Sequence, residues 1–263
     1  MNKPKIIDAH AHIFPSKVAI KATQATANYY GAQMYGNGTI EDLLNKGKEI
    51  NVYKYIVHST ATKVDQVESI NDFIADAQAR NQSLIGFGTL HPDLTDVKLE
   101  VDRLITLGLK GIKLHPDFQD FNIDDASMMP IYEALEGRLP VLIHMGDEKR
   151  NSSSPKRLAN VLNKFPNLTV IAAHLGGYQM WVDSIKYLVG KNLYLDTSSS
   201  LAFLGKEKAT YIIKEHGTKK VLFGTDYPMW SHKEELERFF NLDLTAEEQE
   251  CILWKNASKL LNL

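Results

Sequence analysis

Nine histidines stand in this chain, and six of them (His10, His58, His91, His115, His144 and His174) fall at or just past the end of a short apolar run. The first run, Lys5-Ile6-Ile7-Asp8-Ala9, leads into His10-Ala11-His12. In an extended segment side chains alternate faces, so His10 and His12 point the same way and can grip one cation from one side. Two imidazoles do not complete a site. Catalytic zinc-type ions take about three protein ligands of nitrogen or carboxylate oxygen and keep a further position open for water. Later runs deliver candidates: His144 after Pro140-Val141-Leu142-Ile143, His174 after Val170-Ile171-Ala172-Ala173, and Asp226 after Val221-Leu222-Phe223-Gly224-Thr225. A carboxylate buried at such a point is costly unless it is paired or holds a cation. Asp226 therefore reads as a metal ligand and also as a candidate proton acceptor.

Each of these residues has a blander reading, a hydrogen-bonded core histidine or an ordinary polar loop, and a lone His-x-His is weak evidence. Their concurrence at strand ends favours ligation for His10, His12, His144 and Asp226. His174 has three open roles: ligand to a second metal, electrostatic partner of the transition state, or general acid/base, the last of which ranks first. Lys113 and His115, two apart in Lys110-Gly111-Ile112-Lys113-Leu114-His115-Pro116, share a face. A lysine inside a barrel is expensive as a bare cation. It would pair with a carboxylate or the substrate, or carry a carbamate bridging two metals. His115, Asp117 and Gln119 become candidates for substrate contact, as does Arg150 in the loop after His144. Asp8 reads as a hydrogen-bonding partner behind the ligands, while His216 and His232 read as surface residues.

Those side chains need a scaffold that brings distant strand ends together. The chain has 263 residues, the size of one (β/α)8 barrel of roughly 250. Apolar runs near 5–10, 54–58, 84–89, 110–115, 140–144, 169–174, 192–197 and 221–226 alternate with helix-period segments, the pattern of a parallel sheet with crossover helices. In the segment Thr95–Leu107, Val97, Val101, Leu104 and Ile105 recur as one helical face, with Asp93 or Thr95 as cap and Gly108 as its end. Strand ends follow one another at roughly 30 residues, except for a longer first interval. The insertion, Pro15 to Gly38, would lie on the catalytic rim, and a mobile lid is the expectation there. Thr245-Ala246-Glu247-Glu248 has the form of a capping box before a closing helix.

At these residues the chain resembles the amidohydrolase superfamily, in its metal-dependent hydrolase branch that also contains decarboxylases of small aromatic or unsaturated acids. The resemblance runs from Ile7-Asp8-Ala9-His10-Ala11-His12 through Gly111-Ile112-Lys113-Leu114-His115-Pro116, Leu142-Ile143-His144, Ala173-His174-Leu175-Gly176-Gly177 and Gly224-Thr225-Asp226-Tyr227-Pro228 to Trp254-Lys255-Asn256-Ala257. It implies a distorted (β/α)8 TIM barrel as a single domain over residues 1–263, a divalent metal held by His10, His12, His144 and Asp226, and His174 beside the reacting group. Zinc ranks first, with manganese or another divalent ion next. One ion ranks above two, since a pair would need Lys113 carbamylated.

The first expectation for function is hydrolysis of an amide, ester or lactone of a small molecule by metal-activated water. The alternative is a metal-dependent, non-oxidative decarboxylase of a small aromatic or unsaturated acid, with Arg150, Lys149 and Lys156, in the loop after His144, as candidate cations for the substrate carboxylate. A barrel that has lost its chemistry and acts as a binding module ranks last. A net charge of −2 without a basic run gives no footprint for nucleic acid or an acidic membrane. The lone cysteine, Cys251, forms no internal disulfide, and no apolar stretch has signal or membrane-span character. A cytoplasmic enzyme, free or as a homo-oligomer, is the resulting expectation.

Overall fold

A computed structural model describes residues 4–263. Its strands are β1 (Ile6–His12), β2 (Val52–His58), β3 (Leu84–Thr89), β4 (Gly111–Leu114), β5 (Val141–Ile143), β6 (Val170–Ala172), β7 (Tyr194–Asp196) and β8 (Val221–Leu222). They lie in one eight-stranded sheet in chain order. The helices are α1 (Ser16–Tyr30), α2 (Ile40–Glu49), α3 (Val67–Arg80), α4 (Val97–Thr106), α5 (Pro116–Gln119), α6 (Met129–Leu135), α7 (Pro155–Lys164), α8 (Trp181–Tyr187), α9 (Leu201–His216), α10 (His232–Phe240), α11 (Ala246–Glu250) and α12 (Asn256–Leu261). β1 bonds to the last stave through Ala9 N to Phe223 O (2.8 Å), Asp226 N to His10 O (2.9 Å) and His12 N to Tyr227 O (2.7 Å). The architecture is a distorted (β/α)8 barrel, as the alternating periods imply.

Every expected strand is present, but β5, β6 and β7 run for three residues and β8 for two. Left-handed backbone occurs within four residues past the ends of β6, β7 and β8. His174, Leu175, Ser199 and Asp226 all have φ between 48° and 60°. A left-handed backbone costs a residue with a Cβ about 1–2 kcal/mol, and such positions persist only where their surroundings hold them. Asp226 thus lies outside β8, four residues past its end.

Packing divides the chain into two compact units, residues 4–58, 81–85 and 197–263, and residues 59–80 and 86–196. In the first, Asn256 Nδ2 donates to the carbonyls of Val221 and Thr218, both at 2.7 Å, and Ile252 O accepts from Phe223 N at 3.0 Å. The C-terminal segment thereby satisfies backbone that so short a strand as β8 leaves over. The Thr245–Glu248 capping box forms as read. The insertion is largely α1, closed by Gly31 in a left-handed cap. Its far end is pinned where Tyr35 N and Gly36 N donate to Pro228 O at 2.9 and 3.0 Å. Gly36 has to be glycine there, since a Cβ would fall 2.2 Å from the Tyr227 ring.

In the second unit the amides of Asn71 and Gln78, both on α3, replace missing ladder partners. Asn71 Oδ1 accepts from Thr89 N at 2.7 Å and Gln78 Oε1 from Gly86 N at 2.7 Å. α4 buries Val97, Val101 and Leu104, but Ile105 is exposed at the edge of that face. Its cap position is Asp96 rather than Asp93 or Thr95, without a side-chain cap bond. Among the described residues no helix is long and apolar enough to cross a membrane.

Candidate functional site

The alternation read from His10-Ala11-His12 holds in β1: the two Nε2 atoms are 3.3 Å apart. Asp226 Oδ1 lies 3.3 Å from each of them, so three donor atoms form an equilateral triangle. Donors about 2.1 Å from a tetrahedral ion stand about 3.4 Å apart. Two neutral imidazoles and a carboxylate in this arrangement fit a divalent cation. His58, at the end of β2, adds its ring edge-on, 4.4 Å from His12 and 5.0 Å from His10 between centroids, with one ring nitrogen within 4.8 Å of theirs. The sequence reading left His58 outside the ligand set.

The carboxylate of Asp8 holds the triangle from behind. Oδ1 accepts from His10 N at 3.1 Å and Thr225 N at 3.0 Å, and Oδ2 from Thr225 Oγ1 at 2.6 Å. His232 Nε2 is 3.1 Å from Oδ2 and the residue is 1% exposed. His232 is therefore a core partner of Asp8, not a surface histidine. His216 is buried too. Both sit on the inner faces of helices that composition alone does not orient.

Sequence reasoning passed over the hydroxyl run Thr197-Ser198-Ser199-Ser200 after β7. Thr197 Oγ1 accepts from Gly224 N at 3.1 Å. Ser198 Oγ is 3.0 Å from His10 Nδ1. An Nδ1 proton donated to this oxygen is the tautomer that would leave the Nε2 lone pair for a metal. Ser199 Oγ donates to Asp226 Oδ2 at 2.5 Å. The available signal was an unbroken row of small hydroxyls directly after a strand end, which reads as ordinary loop polarity.

In the second unit β5 and β6 present a histidine pair. His144 Nε2 is 2.9 Å from Gly146 O, and its Nδ1 is 2.9 Å from His174 Nε2. A carbonyl only accepts, so in neutral His144 the proton sits on Nε2 and Nδ1 is a lone pair. His174 Nε2 then holds the proton between the rings. His174 is fixed by its own backbone, with N donating to Asp196 Oδ1 at 3.0 Å and O accepting from Trp181 Nε1 at 2.9 Å. Gly146 has φ 81°, and a Cβ there would meet Tyr178 O at 2.3 Å, so this turn requires glycine.

His115 stacks between His144 and Phe118, at 3.9 Å from each ring. Asp117 Oδ2 accepts from Ser153 Oγ at 2.6 Å. Burial pushes the Asp117 carboxyl up to about 6, against the opposing Ser153 bond. His115, Asp117 and His144 form a second buried group with metal-compatible spacing. Lys113 is fully buried on β4. Gln119 is committed to backbone: Oε1 accepts from His115 N at 2.8 Å, and Nε2 donates to Ala61 O at 2.9 Å and Leu90 O at 2.7 Å. Arg150 donates to Asp117 O at 2.8 Å and pairs with Asp120 at 2.9 Å.

Solved structures share this fold. The 5-carboxyvanillate decarboxylase of Sphingomonas paucimobilis superposes with a TM-score of 0.77 at 16% identity, covering 98% of this chain and 99% of that one. A dihydroxybenzoic acid decarboxylase of Polaromonas sp. JS666, solved with bound manganese and 2-nitroresorcinol, gives 0.76 at 18% identity over 99% and 97%. A curated relative, the 2-amino-3-carboxymuconate-6-semialdehyde decarboxylase of Dictyostelium discoideum, is 27% identical over 206 residues, or 63% of this chain. The match spans 57% of that relative's length. The family model described as amidohydrolase matches residues 7–263, and the chain, with its buried histidine and aspartate clusters, belongs to the metal-dependent branch of the amidohydrolases.

Proposed function

We propose that the protein is a metal-dependent, non-oxidative decarboxylase of a small aromatic or unsaturated carboxylic acid. Its divalent ion, zinc or manganese, would be held by His10, His12 and Asp226; His144, whose two ring nitrogens are taken by Gly146 O and His174 Nε2, has a weaker claim than its place in the sequence implies. The observation that carries the reading is the His144–His174 pair: with His144 Nε2 donating to Gly146 O, the proton between the two rings belongs to His174 Nε2. Decarboxylation needs a proton donor: the carbon–carbon bond breaks, carbon dioxide leaves, and the electron pair left on carbon takes up a proton. His174 would supply that proton from Nε2. A bound divalent ion would supply an electrostatic hold on the substrate's anionic oxygens and on the charge that develops between them.

The solved relatives named above are decarboxylases of carboxylated phenols, and the curated relative is a decarboxylase of an unsaturated acid. They support this reading above hydrolysis, which is the second reading. Lys113 and His115 are the proposed neighbours of the substrate. Arg150 and Gln119, tied to backbone, have a weaker claim. The test is a panel of hydroxybenzoates, muconate-type acids, esters and lactones with manganese- or zinc-loaded protein. Carbon dioxide release without oxygen consumption is expected. Ester or lactone hydrolysis with no carbon dioxide would replace it with the hydrolase reading.

A further inference from the structure

Asp226 has two oxygens, and Oδ1 lies 3.3 Å from Nε2 of both His10 and His12. The other, Oδ2, is taken by Ser199 Oγ at 2.5 Å, and Ser199 Oγ in turn lies 2.8 Å from Trp230 Nε1. The direction of this relay follows from chemistry alone. An indole N–H can only donate, so Ser199 must accept from it and direct its own proton at the carboxylate. A hydroxyl that accepts one bond donates the next more strongly, and its acceptor here is ionic.

Each member is held. Ser199 keeps a left-handed backbone, φ 48°, that only local bonding sustains. The Trp230 ring meets Phe203 edge-on at 5.8 Å and carries the Arg238 guanidinium at 5.3 Å. Arg238 is itself clamped by Glu235 at 2.6 Å and Glu234 at 2.9 Å.

We infer that Ser199, backed by Trp230, is a positioning residue that makes Asp226 a one-oxygen ligand and keeps its second oxygen out of the coordination sphere. The inference rests on the metal centre proposed above and concerns how that centre is shaped. With Oδ2 spent on Ser199, Asp226 is a poor candidate for the base of a bound water. That leaves proton handling to His174.

The test is cobalt binding to the full chain, by competition titration and by the visible spectrum of the cobalt-loaded protein, for wild type, Ser199→Ala, Trp230→Phe and the double variant. Removing a partner behind a ligand typically costs about 10–100-fold in metal affinity, and a loss in that range is expected for Ser199→Ala. Its d–d absorption should weaken, because a freed Oδ2 raises the coordination number. Trp230→Phe, which deletes only the donor, should lose less, and the double variant should be no worse than Ser199→Ala alone. If Ser199→Ala does not fold, Trp230→Phe carries the test by the same two readouts. Wild-type affinity and spectrum in the variants, or losses that simply add, would overturn the relay while leaving the metal centre standing. A wild type that takes up no cobalt would overturn the metal centre and the relay with it.

Discussion

At the scale of single residues, the proposed site divides into side chains that would hold the ion and His174, which would supply the proton. His174→Asn removes the proton held at Nε2 and keeps a side chain of similar size. Loss of a general acid costs about 10²–10⁴ in rate, so kcat should fall by that factor while metal content stays at the wild-type level. Metal analysis beside steady-state kinetics checks this, and a variant that loses its metal would make His174 a ligand instead. The ligand candidates were legible because His10, His12, His144 and Asp226 combine a costly group with the end of an apolar run. Ser198 and Ser199 were not, because a hydroxyl is at home on any loop and its aim toward His10 Nδ1 or Asp226 Oδ2 exists only once the chain is folded.

At the scale of elements, the eight strands could be read because each is a short apolar run between helical periods. The conformation that follows them could not. Left-handed backbone at His174 and Asp226 leaves no mark on residues that carry a Cβ, and it ends the alternation that serves well for His10 and His12. The inner face of α10 was equally hidden, and it carries an unexpected titration. Glu235 is fully buried; burial pushes its carboxyl up to about 7 even with Arg238 Nη1 at 2.6 Å. A carboxyl whose folded pKa lies above its unfolded value contributes stability below the unfolded value and loses it as pH rises through the folded one. Between about pH 4.5 and pH 7 the wild type should therefore lose up to ~3 kcal/mol relative to Glu235→Gln. Thermal melts at pH 5 and pH 8 read this directly. The variant's advantage should be small at the lower pH and clearly larger at the higher one. An equal difference at both would mean that Glu235 stays ionised throughout.

At the scale of the whole molecule, the ion proposed at His10, His12 and Asp226 joins the first strand to the loop after the last. Those segments are already linked through Ala9, His10 and His12 to residues 223–227, so the metal adds to a closure that the backbone makes. Binding to the folded state alone stabilises it by about 2.7 kcal/mol when free metal is at 100 times its Kd. In a chain of this size 1 kcal/mol moves the melting temperature by about 2–4 °C. Chelation should then lower the midpoint by about 5–10 °C and return of zinc or manganese should restore it. The protein should still fold without the ion, because the core and the β1-to-β8 hydrogen bonds do not depend on it. Scanning calorimetry of the chelated and reloaded protein distinguishes the cases. A midpoint indifferent to metal would argue against ligation across this seam, and complete unfolding on chelation would mean that the backbone closure is too weak to stand alone.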